Sequence, residues 1–278
     1  MSVFCDVELA ARLERLEAGL IARAGEAARR RGAGPHGFTR PLAGGVAGFA
    51  DVDSPLNKVA GLGFAGVPAA AELDAIEGAF AACGSPVQAE VATLADPAIG
   101  DLLTGRGYRL VSFENVLGCR PAPVPPAASD VEVRPVTADE LGMWFDLVVD
   151  AFAVADTQGV ASHEEFPREA VVNAMRDMAA AGLRHYLALR NGVPAGGASM
   201  HVVDGVAQLT GAATVPAHRR HGVQSALLAT RLTAAAAEGC DIAVVTTQPG
   251  SKSHQNAQRN GFDLLYARAI LVKPLPDS

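Results

Sequence analysis

Apolar residues recur every three to four positions from about residue 6 to 30, at Leu9, Leu13, Leu16 and Leu20, and charged residues fill the gaps. This spacing predicts a long amphipathic helix. Runs near 45–50 and 58–65 read as strands, followed by a helix over "AAELDAIEGAFAACG", a strand over "VQAEVAT", a short helix and a closing strand over "YRLVSFENVLG". The stretch "CRPAPVPPAASD", residues 119–130, has neither period and is rich in proline, the composition of an extended, semi-rigid linker. Beyond it come a strand "VEVRPV", two helices within 138–182, and strands "HYLALR", "AGGASMHVV" and "AQLTGAATV". A helix from about 223 to 238, a strand "IAVVTT", a short helix and strands over "FDLLYARAILV" complete the chain. Helices set between strands imply a mixed α/β fold.

The two halves repeat each other weakly. Aligning "VATLADPAIGDLLTGRGYRLVSFENVLG" with "VTTQPGSKSHQNAQRNGFDLLYARAILV" matches Thr93 to Thr247 and Gly107-Tyr108 to Gly261-Phe262 without a gap. Leu110, Val116 and Leu117 then fall against Leu264, Ile270 and Leu271, and a second landmark, Val67-Pro68 and Val215-Pro216, lies upstream of both copies. We read this as an internal duplication.

The 278 residues carry a net charge of -7 and are 49% hydrophobic, enough for a sizeable core in about two domains. Only 5% are aromatic, so helices packed closely on a sheet are expected. The acidic balance argues against nucleic acid or an anionic membrane as a partner, since both need a basic face. Cys5, Cys83, Cys119 and Cys240 form no CxxC pair, so neither a disulfide framework nor a metal site is expected. The N-terminus lacks the pattern of a secretory leader, which places the expectation in the cytoplasm.

Against this acidic background the stretch "TVPAHRRHGVQSALL" stands out, with Arg219, Arg220 and His221 directly before Gly222 and an apolar helical run. A helix N-terminus exposes unpaired N–H groups and a positive dipole end, so a glycine turn entering a helix makes an anion site. The dipole supplies about 0.3–1 kcal/mol, and each charge-assisted hydrogen bond roughly 1.5–3 kcal/mol. The backbone geometry therefore matters more than any single arginine.

The order "LTGAATVPAHRRHGVQSALL", then "IAVVTT", then a short helix ending in "NGF", resembles the GNAT superfamily of acyl-CoA-dependent N-acetyltransferases. That family carries Gln/Arg-x-x-Gly-x-Gly/Ala where backbone amides hold the coenzyme A pyrophosphate; Arg219 and Gly222 match, and Gln224 departs from it. The resemblance covers about 130–274 and implies two tandem GNAT-like domains, each a central mixed sheet flanked by helices. Residues 1–120 would be a degenerate copy without a coenzyme loop, 121–130 the linker, and 131–278 the catalytic copy. It further implies that Thr214 and Val215 offer backbone groups to the pantetheine arm and that Arg219, Arg220, His221, Gly222, Val223, Gln224 and Ser225 hold the pyrophosphate of acetyl-CoA, with Ser253 and Asn256 nearby.

The acceptor is expected to be a small-molecule or peptide amine. Its proton needs a base, since an amine of pKa about 10.4 is protonated at neutral pH. Glu164, Glu165 and His201 are candidates, with Glu165 preferred. Where relatives often place a tyrosine as general acid this chain has Ala257, leaving Tyr186 and Tyr266 as candidates. Loss of that acid would cost about 10²–10⁴ in rate. Two other readings compete: a non-catalytic acyl-CoA binder, suggested by Ala257, and a dinucleotide oxidoreductase, suggested by "GLGFAG" at Gly61, Gly63 and Gly66.

Overall fold

The computed structural model describes residues 2–32, 37–124, 130–154, 160 and 166–275. In chain order the elements are α1 (Val7–Arg31), β1 (Phe38–Leu42), β2 (Gly45–Phe49), β3 (Lys58–Ala60), α2 (Ala70–Ala82), β4 (Val87–Ala92), α3 (Ala98–Gly105) and β5 (Arg109–Cys119). They continue with β6 (Val131–Pro135), α4 (Leu141–Ala153), α5 (Arg168–Ala180), β7 (Arg184–Arg190), β8 (Val193–Val203), β9 (Val206–Thr214), α6 (Val223–Ala237), β10 (Ile242–Thr247), α7 (Lys252–Arg259) and β11 (Asp263–Lys273).

Two compact units result, and neither is contiguous in sequence. One, here the N-terminal unit, comprises Phe4–Asn115, His163–Ala181 and Leu265–Ser278; the other, the C-terminal unit, comprises Met1–Val3, Val116–Ser162 and Gly182–Leu264. The contiguous halves 1–120 and 131–278 do not coincide with these compact units. Strand pairing, and not chain proximity, decides which unit a segment joins: β11 from Leu265 onward joins the N-terminal unit, and β5 is divided, with only its last residues from Val116 in the C-terminal one.

In the N-terminal unit the strands run β1-β2-β3-β4-β11, with the start of β5 beyond. β11 lies antiparallel to β4 with Arg268 opposite Ala92 and Lys273 opposite Val87. Phe38, Phe49 and Phe80 pack ring against ring in its core. α1 begins where Asp6 caps the Leu9 amide at 2.9 Å and buries Leu13, Leu16, Leu20 and Ile21. A buried polar network crosses this unit. Glu14 of α1 accepts from Arg268 Nε and from the Tyr266 hydroxyl, both at 2.7 Å. Arg268 also faces Glu90 at 3.5 Å and Glu114 at 3.7 Å, and Lys58 binds Glu90 at 2.5 Å.

The strand expected over 58–65 stops at Ala60. Gly61, Gly63 and Gly66 follow in a turn with φ of 78°, 85° and 105°. A Cβ on Gly63 would lie 2.7 Å from Ala95 Cβ, and the Gly63 carbonyl accepts from the Asp96 amide at 2.9 Å. The backbone at Gly61 and Gly63 is packed against its own chain and so is not open to a diphosphate, which speaks against the dinucleotide reading of this turn.

The duplication has a structural counterpart. β4-α3-β5 and β10-α7-β11 share one order, and Gly107 and Gly261 both take positive φ, 90° and 83°. Tyr108 and Phe262 are both buried, while Leu110 and Leu264 are both exposed, so matched positions carry matched environments.

The C-terminal unit carries the order β10-β9-β8-β7-β6, with the end of β5 beside β10. Consecutive residues of a strand face opposite sides. Gly196 accordingly faces Val223 of α6 and Gly197 faces Trp144 of α4, which places the two helices on opposite faces of this sheet. Leu227, Leu228 and Leu232 of α6 cover Ala198, Met200 and Leu209.

Candidate functional site

β9 and β10 pair in parallel only from Val206/Ile242 to Leu209/Val245. β9 nevertheless runs on to Thr214 and β10 to Thr247. A bulge accounts for the parting: Gly197 pairs with Ala213 and Ser199 with Thr210, so Gly211 and Ala212 together stand opposite Ala198. Gly211 takes φ 60°, the left-handed conformation such an extra residue requires. The bulge lies just past the last β9–β10 pair, so the two strands run on unpaired there, and the gap between their ends is termed the cleft. At the far end of β10 the Thr247 hydroxyl is buried and has no hydrogen-bond partner among the described residues.

β9 leads into a short 3-10 turn at Pro216–His218 and then to α6. Arg220 has φ 65° and Gly222 has φ 79° with ψ 0°, and α6 starts at Val223 without a side-chain cap. The Gly222 carbonyl accepts from the Ala226 amide at 2.9 Å, which fixes the first turn of the helix. The first-turn amides at Val223, Gln224 and Ser225 thus precede the first amide with an intrahelical acceptor. The Val223 side chain is buried in the core, so this residue contributes through its backbone. Arg220, His221, Gly222 and Ser225 are exposed and Gln224 is half-buried. Main-chain donors stand at the positive end of a helix dipole, with the exposed Arg220 and His221 just before them in the chain, an arrangement suited to a diphosphate.

Arg219 does something other than the expected charge donation. Its Nη2 donates to the carbonyls of Ala151, at 3.3 Å, and Val154, where α4 ends. A guanidinium suits that place, since the last carbonyls of a helix lack amide partners and carry its negative pole. Val215 also departs from expectation. Its amide donates to Ala195 O at 2.9 Å and its carbonyl accepts from the His218 amide at 2.8 Å, so both groups serve the ladder and the turn. The alternation of a strand directs the backbone of Thr214 to the other edge, toward the parted β10.

On α7 the cap is Ser251, whose hydroxyl accepts from the His254 amide at 3.1 Å; Ser253 is exposed and Asn256 half-buried. Ala257 is buried in the core beside Phe262. Tyr266 belongs to the N-terminal unit, where it is buried and commits its proton to Glu14, and burial pushes its phenol far above the ordinary value. A hydroxyl so engaged does not serve as a general acid, which corrects that expectation. Tyr186 is also buried, in the C-terminal core, with its phenol pushed up by desolvation. Glu164 and Glu165 lie outside the described residues. His201 is buried on β8 opposite Gln208.

Two features escaped the sequence reading. His185 Nδ1 and Ser199 Oγ share a buried hydrogen bond of 2.8 Å, with the imidazole against Trp144 at 4.3 Å between ring centroids. Burial pushes this imidazole down to about 4, so it is neutral at pH 7. Arg231 of α6 is likewise buried and bonds to carbonyls of β8 and β9. Its signal in the sequence was its place four residues after Leu227 and four before Ala235, on the face that both of those residues bury.

Residues 145–262 match the model of the acetyltransferase (GNAT) family, a stretch that runs from within α4 past the end of α7 to Phe262. Among solved structures, a GCN5-related N-acetyltransferase from Kribbella flavida is 23% identical with a TM-score of 0.63, over 91% of this chain and 95% of that one. A tandem GNAT protein from the clavulanic acid biosynthesis pathway is 14% identical with a TM-score of 0.61, over 92% of this chain and 88% of that one. A GCN5-related N-acetyltransferase from Sphaerobacter thermophilus is 15% identical with a TM-score of 0.52, over 74% of this chain and 67% of that one. No curated protein matches. The parted strands, the bulge and the bare helix start therefore lie within the stretch that matches the acetyltransferase (GNAT) family model, and the mixed α/β fold of the chain as a whole is similar to that of a tandem GNAT protein.

Proposed function

We propose that this protein transfers an acetyl group from acetyl-CoA to an amine of a small molecule or peptide, by direct attack within a ternary complex, in the cytoplasm. The observation that carries the reading is the cleft between β9 and β10 continuing onto the uncapped start of α6, with Gly222 at φ 79°. The amides of residues 223–225, with Arg220 and His221, would take the pyrophosphate, and the cleft-facing backbone of Thr214 the pantetheine arm. Arg219 acts at one remove by holding the turn to α4. The family match supports acyl-CoA-dependent acetyl transfer in general; the amine is the part proposed here, and Glu165 is the residue we propose to take its proton.

A second reading, a binder without turnover, is favoured by Ala257, which puts a core methyl where an acid would protonate sulfur. A thiol of pKa about 8.5 is nevertheless a fair leaving group. Calorimetry with CoA, acetyl-CoA and NAD should give heat with the first two alone. Release of free thiol from acetyl-CoA should then appear with at least one member of an amine panel, and Glu165→Gln should displace the pH profile of that release. No heat from either CoA species removes the whole reading; heat without thiol release for any amine leaves the binder, and an unmoved profile removes Glu165.

A further inference from the structure

α6 carries one charged residue on its buried face. Arg231 is 2% exposed, and its Nε donates back to Leu227 O at 3.1 Å. Its Nη1 donates to Ser199 O at 2.9 Å and lies 3.5 Å from Thr210 O. Those residues face each other where the bulge breaks the β8–β9 ladder, so the guanidinium supplies donors near a broken ladder. No carboxylate of the described residues pairs with it. The titratable neighbour that bears on it is Tyr186 of β7, whose phenol is neutral; desolvation pulls the guanidinium down to about 10, which leaves it a cation at pH 7.

Satisfying carbonyls does not require a charge, because the amide of glutamine donates as well. Desolvating a cation without a counter-ion opposes folding, so stability does not account for it. Its place suggests what does. Thr210 is the first residue of β9 after its pairing with β10 ends at Leu209, so the charge lies at the point where the two strands part. A fixed charge in poorly solvated surroundings acts strongly on a developing opposite charge nearby.

We propose that Arg231 is a positioning residue that holds the bulge in place and whose buried charge stabilises the coenzyme A thiolate leaving in the cleft. This rests on the acetyl-transfer reading above. In that step the amine nitrogen forms the C–N bond, the C–S bond breaks and sulfur leaves with the electron pair. The amine proton passes to a base, and Arg231 neither gives nor takes one. Such a charge does the work of the acid missing at Ala257 by making the thiolate stable without protonation.

The test is a pH titration of the thiol of CoA bound to the full-length protein, followed by ultraviolet absorbance of the thiolate. The wild-type complex is expected to titrate at least about one pH unit below free CoA in the same buffer, a tenfold gain in thiolate. Arg231→Gln keeps a carbonyl-directed donor and should erase the shift while CoA affinity changes less than about threefold, with kcat falling about tenfold. Arg231→Lys should retain part of the shift, and Arg231→Met serves if the glutamine variant does not fold. A bound thiol titrating at or above the free value in the wild type overturns the proposal, as does a shift that survives either neutral variant. Absence of CoA binding, registered by calorimetry, instead defeats the acetyl-transfer reading on which this one stands.

Discussion

The guanidinium of Arg219 bridges two carbonyls at the end of α4, Ala151 O and Val154 O, while its backbone belongs to the turn that leads into α6. Arg219→Ala should therefore lose about 1–2 kcal/mol of stability and raise the KM for acetyl-CoA several-fold with little change in kcat. Arg219→Lys should recover only part, because a more strongly hydrated ammonium on a flexible stem does not reproduce the planar guanidinium whose Nη2 reaches both carbonyls. Thermal unfolding and steady-state kinetics check both. Single residues were the least legible scale. Arg219 and Gly222 were singled out by spacing, but a spacing says nothing of where a long side chain ends. Tyr266 was considered for its hydroxyl, and the fold spent that hydroxyl on Glu14.

Elements were read more securely, because periodicity reports which face is buried. The long first helix, the helix at 223–237 and the strands that carry the cleft fall close to where the pattern put them. β1 went unread: its five residues include Pro41, and its exposure does not alternate cleanly. The bulge at Gly211 was also invisible, since it changes register without changing composition. Close packing of elements gives the prediction at this scale. A Cβ at Gly196 would fall 2.6 Å from Ala213 O and 2.9 Å from Val223 Cγ1. Gly196→Ala should cost about 1–3 kcal/mol and push the start of α6 off the sheet. A lowered denaturant midpoint together with weakened CoA binding is the expected result; normal binding would show that the helix start tolerates the shift.

For the molecule as a whole, the place of β11 beside β4 determines where charge is buried. Bringing β11 beside β4 places Arg268 among Glu14, Glu90 and Glu114. Burial, and next the Glu90 charge, hold the Glu114 carboxyl up at about 7 despite Lys58 and Arg268. A carboxyl raised in the folded state contributes stability that is complete below the ordinary value of 4.5 and is lost as pH rises through about 7. Glu114→Gln should thus be more stable than the wild type at pH 8, by roughly 1 kcal/mol since Glu114 is partly exposed, and nearly equal to it at pH 4. Unfolding at the two pH values checks this, and a gain of equal size at both would refute it.

The sequence by itself determined the alternation of helices and strands, the repeat, and a glycine turn at the start of a helix, because these are written in neighbouring residues and in backbone sterics. Only the tertiary structure decided which strands β5 and β11 lie beside, which carbonyls Arg219 and Arg231 meet, and where β9 leaves β10. Each of those depends on partners distant in the chain, and a period of hydrophobic residues states that a face is covered without stating by what.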